Sequence, residues 1–122
     1  MGQFTTRTFS IQQGLDMYMV VYCDFPQRLE PDVDVKNKGK KRLEAMGMLD
    51  IVLKKENRQR RQGFPAYSYE FSGRLLGRLL CGRSLFVYHE NRYYEVTHTG
   101  PSLKSLDSDK SKRFFHSFKM TD

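Results

Sequence analysis

Alternating apolar and polar positions run through most of the chain and predict β-strands. Residues 3–13 alternate, with Phe9 and Ile11 on one face among β-branched threonines, as in a half-buried strand. A turn at residues 14–16 then leads into the more apolar run 17–25. Two such segments joined by a short turn predict a first β-hairpin.

A second hairpin is predicted between residues 49–62 and 66–71. The first segment starts apolar and becomes charged, and its alternation puts Arg58 and Arg60 on one side and Arg61 on the other. A Gly-Phe-Pro turn joins the two segments. The second segment alternates cleanly, so one buried face should carry Tyr67, Tyr69 and Phe71.

A third hairpin is predicted from two long strand-like segments, residues 78–89 and 92–99. Glu90 and Asn91 form the tight turn between them, and Asn91 is expected to adopt the positive φ that such a turn needs. We expect the buried face of this hairpin to be shared by Phe86, Tyr88, Tyr94 and Val96.

Two segments have the apolar spacing of amphipathic helices. The first is predicted over residues 33–47, after a start signal at residues 31–34, and should pack on the sheet through Val35, Leu43 and Met46. Gly39 lies on the same stripe and costs the helix about 1 kcal/mol relative to alanine. The second helix is predicted over residues 105–117, with Asp107 or Ser108 as N-cap and with three anchors, Phe114, Phe115 and Phe118.

These elements show no βαβ alternation and predict an α+β fold, an antiparallel sheet of about six strands flanked by helices. The chain has 122 residues, the usual size of one domain, so we expect a single domain over residues 1–122. No apolar run approaches the roughly 20 residues that span a bilayer, and no signal-peptide pattern is visible. We expect a soluble chain of unknown compartment, since a removed targeting segment would leave no trace.

The net charge of +7, from 21 Lys and Arg against 14 Asp and Glu, favours acidic partners. The cations concentrate in residues 36–42 and 54–61, and the candidate anion- or partner-binding residues are Lys36, Lys40, Lys41, Lys54, Lys55, Arg58, Arg60 and Arg61. Aromatic residues are not interleaved with these cations, as they are in single-strand binders. The opposing interpretation is that the cations keep the chain soluble and protect a sheet edge.

No pattern of catalytic or metal-binding residues stands out. His89, His98 and His116 lack the His-x-x-x-His spacing of a metal-binding helix, and His98 is expected to be a partly buried, hydrogen-bonded side chain. No serine stands in Gly-x-Ser-x-Gly, and the glycines of residues 73–82 are not followed by the lysine of a phosphate loop. We therefore predict no enzyme activity, no cofactor and no metal.

The two cysteines, Cys23 and Cys81, lie among apolar residues of predicted strands. A free cysteine in that setting behaves as a small apolar side chain. We expect both thiols to be reduced and buried, while a single bridge between them stays open as an alternative.

Several motifs follow one another in an order seen elsewhere. An aromatic-Pro step at residues 25–26 precedes the long helix, Phe64 and Pro65 open an aromatic strand, and residues 90–94 form a turn rich in aromatic and charged groups. The chain ends in a basic segment with three phenylalanines, Lys112 to Lys119. This order, over residues 17–120, resembles small, mostly uncharacterised bacterial proteins related to the PsbP superfamily, which also includes the Ran guanine-nucleotide release factor. The resemblance implies an antiparallel sheet with helices on its faces and a non-catalytic binding or assembly role.

The resemblance also implies an open sheet edge. Relatives carry another strand before the segment that Phe4 to Ile11 matches, so either the chain is trimmed or its sheet lacks that first strand. The strand left outermost is β-prone and carries Arg7 as its only charge, which suits a two-fold homodimer, although Arg7 could also protect the edge. We expect a binding module with an unknown protein partner. The alternative is electrostatic binding of nucleic acid or anionic membrane through the Lys/Arg-rich surface.

Overall fold

Antiparallel strands and short helices build the fold, which is α+β as predicted. The computed structural model describes the backbone of residues 5–24 and 35–118, and the side chains of residues 7–24 and 39–118. Within these ranges the strands are β1 (Thr5–Gln13), β2 (Asp16–Asp24), β3 (Leu49–Arg61), β4 (Phe64–Leu75), β5 (Arg78–His89) and β6 (Arg92–Gly100). The helices are α1 (Val35–Ala45), α2 (Leu103–Leu106) and α3 (Asp109–Ser117).

Neighbouring strands pair antiparallel in the order β1-β2-β6-β5-β4-β3. The three predicted hairpins are present as β1–β2, β3–β4 and β5–β6, and a further hairpin joins β4 to β5. Its turn residues, Leu76 and Gly77, have φ of 52° and 77°, the type I′ geometry that fits the twist of paired strands. In the β5–β6 turn the positive φ falls on Glu90 (57°) and not on Asn91 as predicted. A two-residue turn can place its positive φ on the first residue alone.

Both faces of the sheet carry apolar side chains, and helices cover both. On one side, which we name the α1 face, α1 packs over a core formed by Leu43, Met48, Tyr67, Tyr69, Phe71 and Phe86. On the other side, the α3 face, the C-terminal phenylalanines Phe114, Phe115 and Phe118 pack against Ala66, Leu85, Val87, Tyr94 and Val96. The predicted aromatic face of β4 and the anchoring role of the three phenylalanines are therefore confirmed.

The prediction that the apolar residues of the third hairpin share one buried face is wrong. Phe86 and Tyr88 lie on the α1 face, whereas Tyr94 and Val96 lie on the α3 face. The two-residue turn pairs Phe86 with Glu95, so even-numbered residues of β5 share a face with odd-numbered residues of β6. Because both faces of these strands are buried, apolar alternation alone does not reveal the offset.

Helix α1 approaches the sheet closely at Gly39. This residue is buried, and a methyl group in its place would overlap the phenol oxygen of Tyr69. Leu43, one turn further on, is 9% exposed and joins the core of the α1 face, as predicted. The glycine that weakens the isolated helix is therefore the residue that lets it reach the sheet.

Met46 does not pack on the sheet as predicted. Its side chain is 59% exposed, because α1 ends one residue earlier and Met46 begins the turn toward β3. The side chain of Val35 and the start signal at residues 31–34 lie outside the described residues.

The predicted C-terminal helix is divided into α2 and α3. Ser108, one of the two predicted caps, is the N-cap of α3, and its hydroxyl accepts a hydrogen bond from the backbone N–H of Ser111 at 3.1 Å. Ser102 caps α2 in the same way, through the N–H of Ser105. None of the helices in the described part of the chain is long and apolar enough to cross a membrane.

Both cysteines are free thiols, as predicted. Cys81 is completely buried, and this burial raises the pKa of its thiol. Cys23 is only half-buried, so the prediction of two buried cysteines holds for Cys81 alone. The difference follows from position, since Cys23 lies in β2 near the outer part of the sheet and Cys81 lies in central β5.

Candidate functional site

The basic residues predicted to bind an anionic partner are divided between the two faces of the sheet. Lys40 and Lys41 are exposed on α1. Arg58 and Arg60 lie on the same side, because Arg58 pairs with Tyr67 of the α1 face and Arg60 follows two residues later. On the opposite side lie Lys54, whose partner is Glu70, and Arg61. The side chain of Lys36 lies outside the described residues.

Several of these cations already have partners within the protein. The guanidinium of Arg58 lies 5.3 Å from the centre of the Tyr67 ring, and Nη1 of Arg60 donates to the carbonyl of Gly63 at 2.6 Å. Nζ of Lys55 is 3.3 Å from the buried carboxylate of Glu70. These contacts stabilise the β3–β4 hairpin, and they leave fewer donors for a partner than the sequence implied.

Arg61 caps the C-terminal end of α3. Its Nη2 donates to the carbonyls of Phe115, of His116 at 3.1 Å and of Phe118 at 2.8 Å. The last carbonyls of a helix have no partner within the helix, so a guanidinium that donates hydrogen bonds to them stabilises that end of the helix. Arg61 therefore has a structural role that its place in a charged run did not reveal.

An ion pair between a half-exposed arginine and a buried glutamate lies in the wall of a cavity on the α1 face. Arg42 of α1 donates to the carboxylate of Glu95 on β6, which is 6% exposed. Burial raises the pKa of Glu95, and the charge of Arg42 acts against that rise. The cavity, of about 290 Å³, is otherwise mainly apolar and lies beneath Leu43 and Met46. Its volume is at the lower end of small-molecule sites.

A serine, a histidine and an aspartate meet on the α3 face. Nδ1 of His98 is 2.7 Å from Oγ of Ser111, and its Nε2 is 2.9 Å from Oδ1 of Asp16. These are the residue types of a hydrolase triad, but His98 and Ser111 are both completely buried, so a substrate has no path to the serine. The group instead ties β2, β6 and α3 together. His98 is hydrogen-bonded, as predicted, and it is completely rather than partly buried.

Sequence reasoning missed this group because its members lie far apart in the chain. The only local signal is that Ser111 is a small residue on the inner side of an amphipathic helix. No group of His, Cys, Asp and Glu in residues 5–24 and 35–118 is placed to hold a metal ion.

The two edges of the sheet differ in regularity and charge. At the β3 edge the pairing with β4 shifts register twice, between Leu49 and Val52 and between Lys54 and Asn57. Bulges of this kind, together with the charged side chains of β3, prevent another strand from pairing with an edge.

The β1 edge has no bulge in its pairing and only one charged residue. Its pairing with β2 runs without a shift from Thr5 opposite Asp24 to Gln13 opposite Asp16. β1 contains no proline, and Arg7 is its only charged residue. No described strand lies on its outer side. Within the described residues the edge is therefore regular and nearly uncharged, the features that allow another strand to pair with it.

The α3 face beside β1 is partly uncovered. Phe9 and Ile11 share one face of β1, as predicted, but they are 60% and 61% exposed, so the strand is less buried than its alternation indicated. The reason is that α3 reaches only as far as β2, where Phe114 meets the ring of Tyr18 at 5.0 Å. A groove of about 280 Å³ separates the two elements, lined by apolar side chains and by two cations of α3, Lys110 and Arg113.

Comparison with known proteins adds information on the fold only. No family model matches the chain, and no curated protein matches it. Among solved structures it is similar to the crystal structure of PA94 from Pseudomonas aeruginosa, a protein of unknown function described as a candidate regulator. The TM-score is 0.63 at 14% sequence identity, over 98% of this chain and 85% of the other. The chain is thus an α+β protein with a six-stranded antiparallel sheet, of the same fold as that structure.

Proposed function

We propose that this protein is a non-catalytic binding and assembly module that takes a partner strand along β1. The contrast between the two sheet edges carries the proposal, because β3 is bulged and charged whereas β1 is regular and bears Arg7 alone. Strand addition to such an edge supplies affinity through main-chain hydrogen bonds. The resemblance to PsbP-related proteins, which itself stays a proposal, points to the same binding or assembly role.

The hairpin geometry indicates which groups of β1 a partner would meet. Gly14 and Leu15 form a two-residue loop, so Gln13 and Asp16 are expected to close the hairpin as a hydrogen-bonded pair. Hydrogen-bonded and outward-facing residues alternate along an antiparallel pair. The N–H and C=O groups directed away from β2 are therefore those of Thr6, Thr8, Ser10 and Gln12.

A second copy of the chain is the simplest partner for this edge in the purified protein. Two β1 strands related by a two-fold axis would form one continuous sheet. The net charge of +7 on each copy opposes the association, so we expect a weak dimer whose formation increases with salt.

The proposal is tested by removing a single outward donor. Thr8→Pro deletes an N–H that β2 does not use, and proline is tolerated at such positions of edge strands. Thr8→Val is the matched control, because valine keeps the donor and suits a strand. Sedimentation velocity over a concentration series should show self-association of the wild type and of Thr8→Val, and a monomer for Thr8→Pro.

Circular dichroism establishes that each variant is folded. A wild-type protein that stays monomeric at high concentration and salt contradicts pairing between copies. A dimer that persists in Thr8→Pro places the contact elsewhere and contradicts the role of β1.

A further inference from the structure

The partner strand would extend the sheet about 4.8 Å beyond β1, with half of its side chains on the α3 face. On that face it would lie beside the exposed side chains of Phe9 and Ile11 and the groove that separates β1 from α3. The backbone of β1 would bind any added strand, whatever its sequence. The groove contacts the side chains of that strand, and it therefore determines which partner sequence is preferred.

The groove combines apolar walls with two positively charged side chains. Its apolar walls include Ile11, Tyr18 and Phe114. Nζ of Lys110 lies 5.5 Å from the centre of the Tyr18 ring, and no carboxylate of the described residues forms an ion pair with Lys110 or Arg113. Long basic side chains at the rim of an apolar groove attract a carboxylate that arrives together with apolar side chains.

The two aspartates of β2 that lie on the α3 face are each bound to another side chain. Asp16 is bound to His98, and Asp24 is held by Arg92 through Nε–Oδ1 and Nη2–Oδ2 contacts of 2.5 Å and 2.9 Å. Arg7 adds a further positive charge on the same face of β1. Lys110, Arg113 and Arg7 thus bring positive charge to the groove and the strand beside it, while Asp109, the exposed first residue of α3, is not among the residues that line the groove.

We propose that the strand added at β1 belongs to an acidic partner segment, whose carboxylates meet Lys110 and Arg113 while its apolar side chains cover Phe9 and Ile11. This inference rests on the proposed function, since it names the occupant of the same edge. A second copy of the chain is a poorer occupant, because it brings Arg7 and another cationic groove to a positive surface.

The probe is a fluorescent nine-residue peptide with threonine at the odd positions and Glu, Ile, Glu, Ile at the even positions. In an added strand the even positions share one face. The matched peptide has lysine in place of glutamate. By fluorescence anisotropy at low salt we expect the acidic peptide to bind about tenfold more tightly, as two partly exposed ion pairs can provide. The difference should shrink as salt is added.

Three variants assign the binding to the groove and the edge. Lys110→Glu combined with Arg113→Glu should reverse the preference between the peptides. Lys104→Glu combined with Lys112→Glu makes the same change in net charge away from the groove lining and should leave the preference intact. Thr8→Pro should abolish the binding of both peptides.

The outcomes separate the inference from the proposed function. Equal binding of the two peptides, lost in Thr8→Pro, overturns the acidic occupant and leaves strand addition in place. The same holds if neither peptide binds while self-association is lost in Thr8→Pro. Binding that survives Thr8→Pro, or the absence of both peptide binding and self-association, overturns the inference and the proposed function together.

Discussion

His98 is held from both sides by side chains of other elements. Ser111 and Asp16 each occupy one of its ring nitrogens, and the ring of Tyr18 stacks on it at a centroid distance of 4.3 Å. A buried polar atom that loses its only partner costs about 1–3 kcal/mol. Polar groups in this core are therefore sensitive to the removal of single atoms.

Ser111→Ala tests this sensitivity. It leaves Nδ1 of His98 without a partner, so we expect the free energy of unfolding in urea to fall by about 1–3 kcal/mol. Ser117→Ala is the matched control on α3, since Ser117 is exposed and bonds only to the nearby carbonyl of Phe114. Equal effects of the two substitutions would show that the buried contact contributes nothing.

The Arg42–Glu95 pair predicts a pH dependence of stability. Burial raises the pKa of Glu95 in the folded state above its unfolded value, although Arg42 acts in the opposite direction. The folded state then holds the proton more tightly, so this contribution to stability is present below the unfolded pKa and is lost as pH rises through the folded pKa. We therefore expect the free energy of unfolding of the wild type, measured in urea and compared with that of Glu95→Gln, to fall as pH rises through the folded pKa of Glu95.

Arg42→Met supplies the control for that measurement. It removes the cation and keeps an apolar stem, so the pKa of Glu95 should rise further and the loss of stability should move to higher pH. A course that is identical in wild type and Arg42→Met would show that the guanidinium does not stabilise the carboxylate.

At the scale of elements, the contact of α1 with the sheet depends on the absence of a side chain at Gly39. Alanine would favour an isolated helix by about 1 kcal/mol. In the folded protein its methyl group would overlap Tyr69, so we expect Gly39→Ala to lower the melting temperature. Tyr69→Phe removes the oxygen that is closest to this site, and Gly39→Ala should cost less in that background. Equal costs in the two backgrounds would contradict the close contact.

At the scale of the whole molecule, the positive charge is spread over both faces of the sheet. The electrostatic alternative requires a continuous basic surface, whereas Arg58 and Arg60 lie on the face opposite to Lys54 and Arg61. We expect Arg58→Glu combined with Arg60→Glu to lower only modestly the salt concentration at which the protein leaves a heparin column. Complete loss of a strong retention would instead identify these two arginines as an anion-binding site and favour the alternative.

Much of the fold could be predicted because the signals are local. Alternation within a single strand predicted that Tyr67, Tyr69 and Phe71 share a buried face. The preference of serine for N-cap positions made Ser108 one of two predicted caps, and it is the N-cap of α3. The candidate site was harder to predict. The outermost position of β1 was suggested by the family resemblance. The groove beside β1 exists because α3 extends only as far as β2, and no local sequence pattern predicts how far a helix extends across a sheet.

The sequence by itself determined where most strands and turns lie and included the N-cap of α3, since period and capping act over a few neighbouring residues, but it did not reveal the end of α1 or the break between α2 and α3. Only the tertiary structure decided which sets of alternating side chains share a face, as Phe86 and Tyr94 show. It also decided the partners of residues far apart in the chain, such as Arg61 with the end of α3 and His98 with Asp16. The physical reason is that cross-strand register and helix docking minimise the free energy of the whole packed core, in which each segment's alternation is compatible with either face.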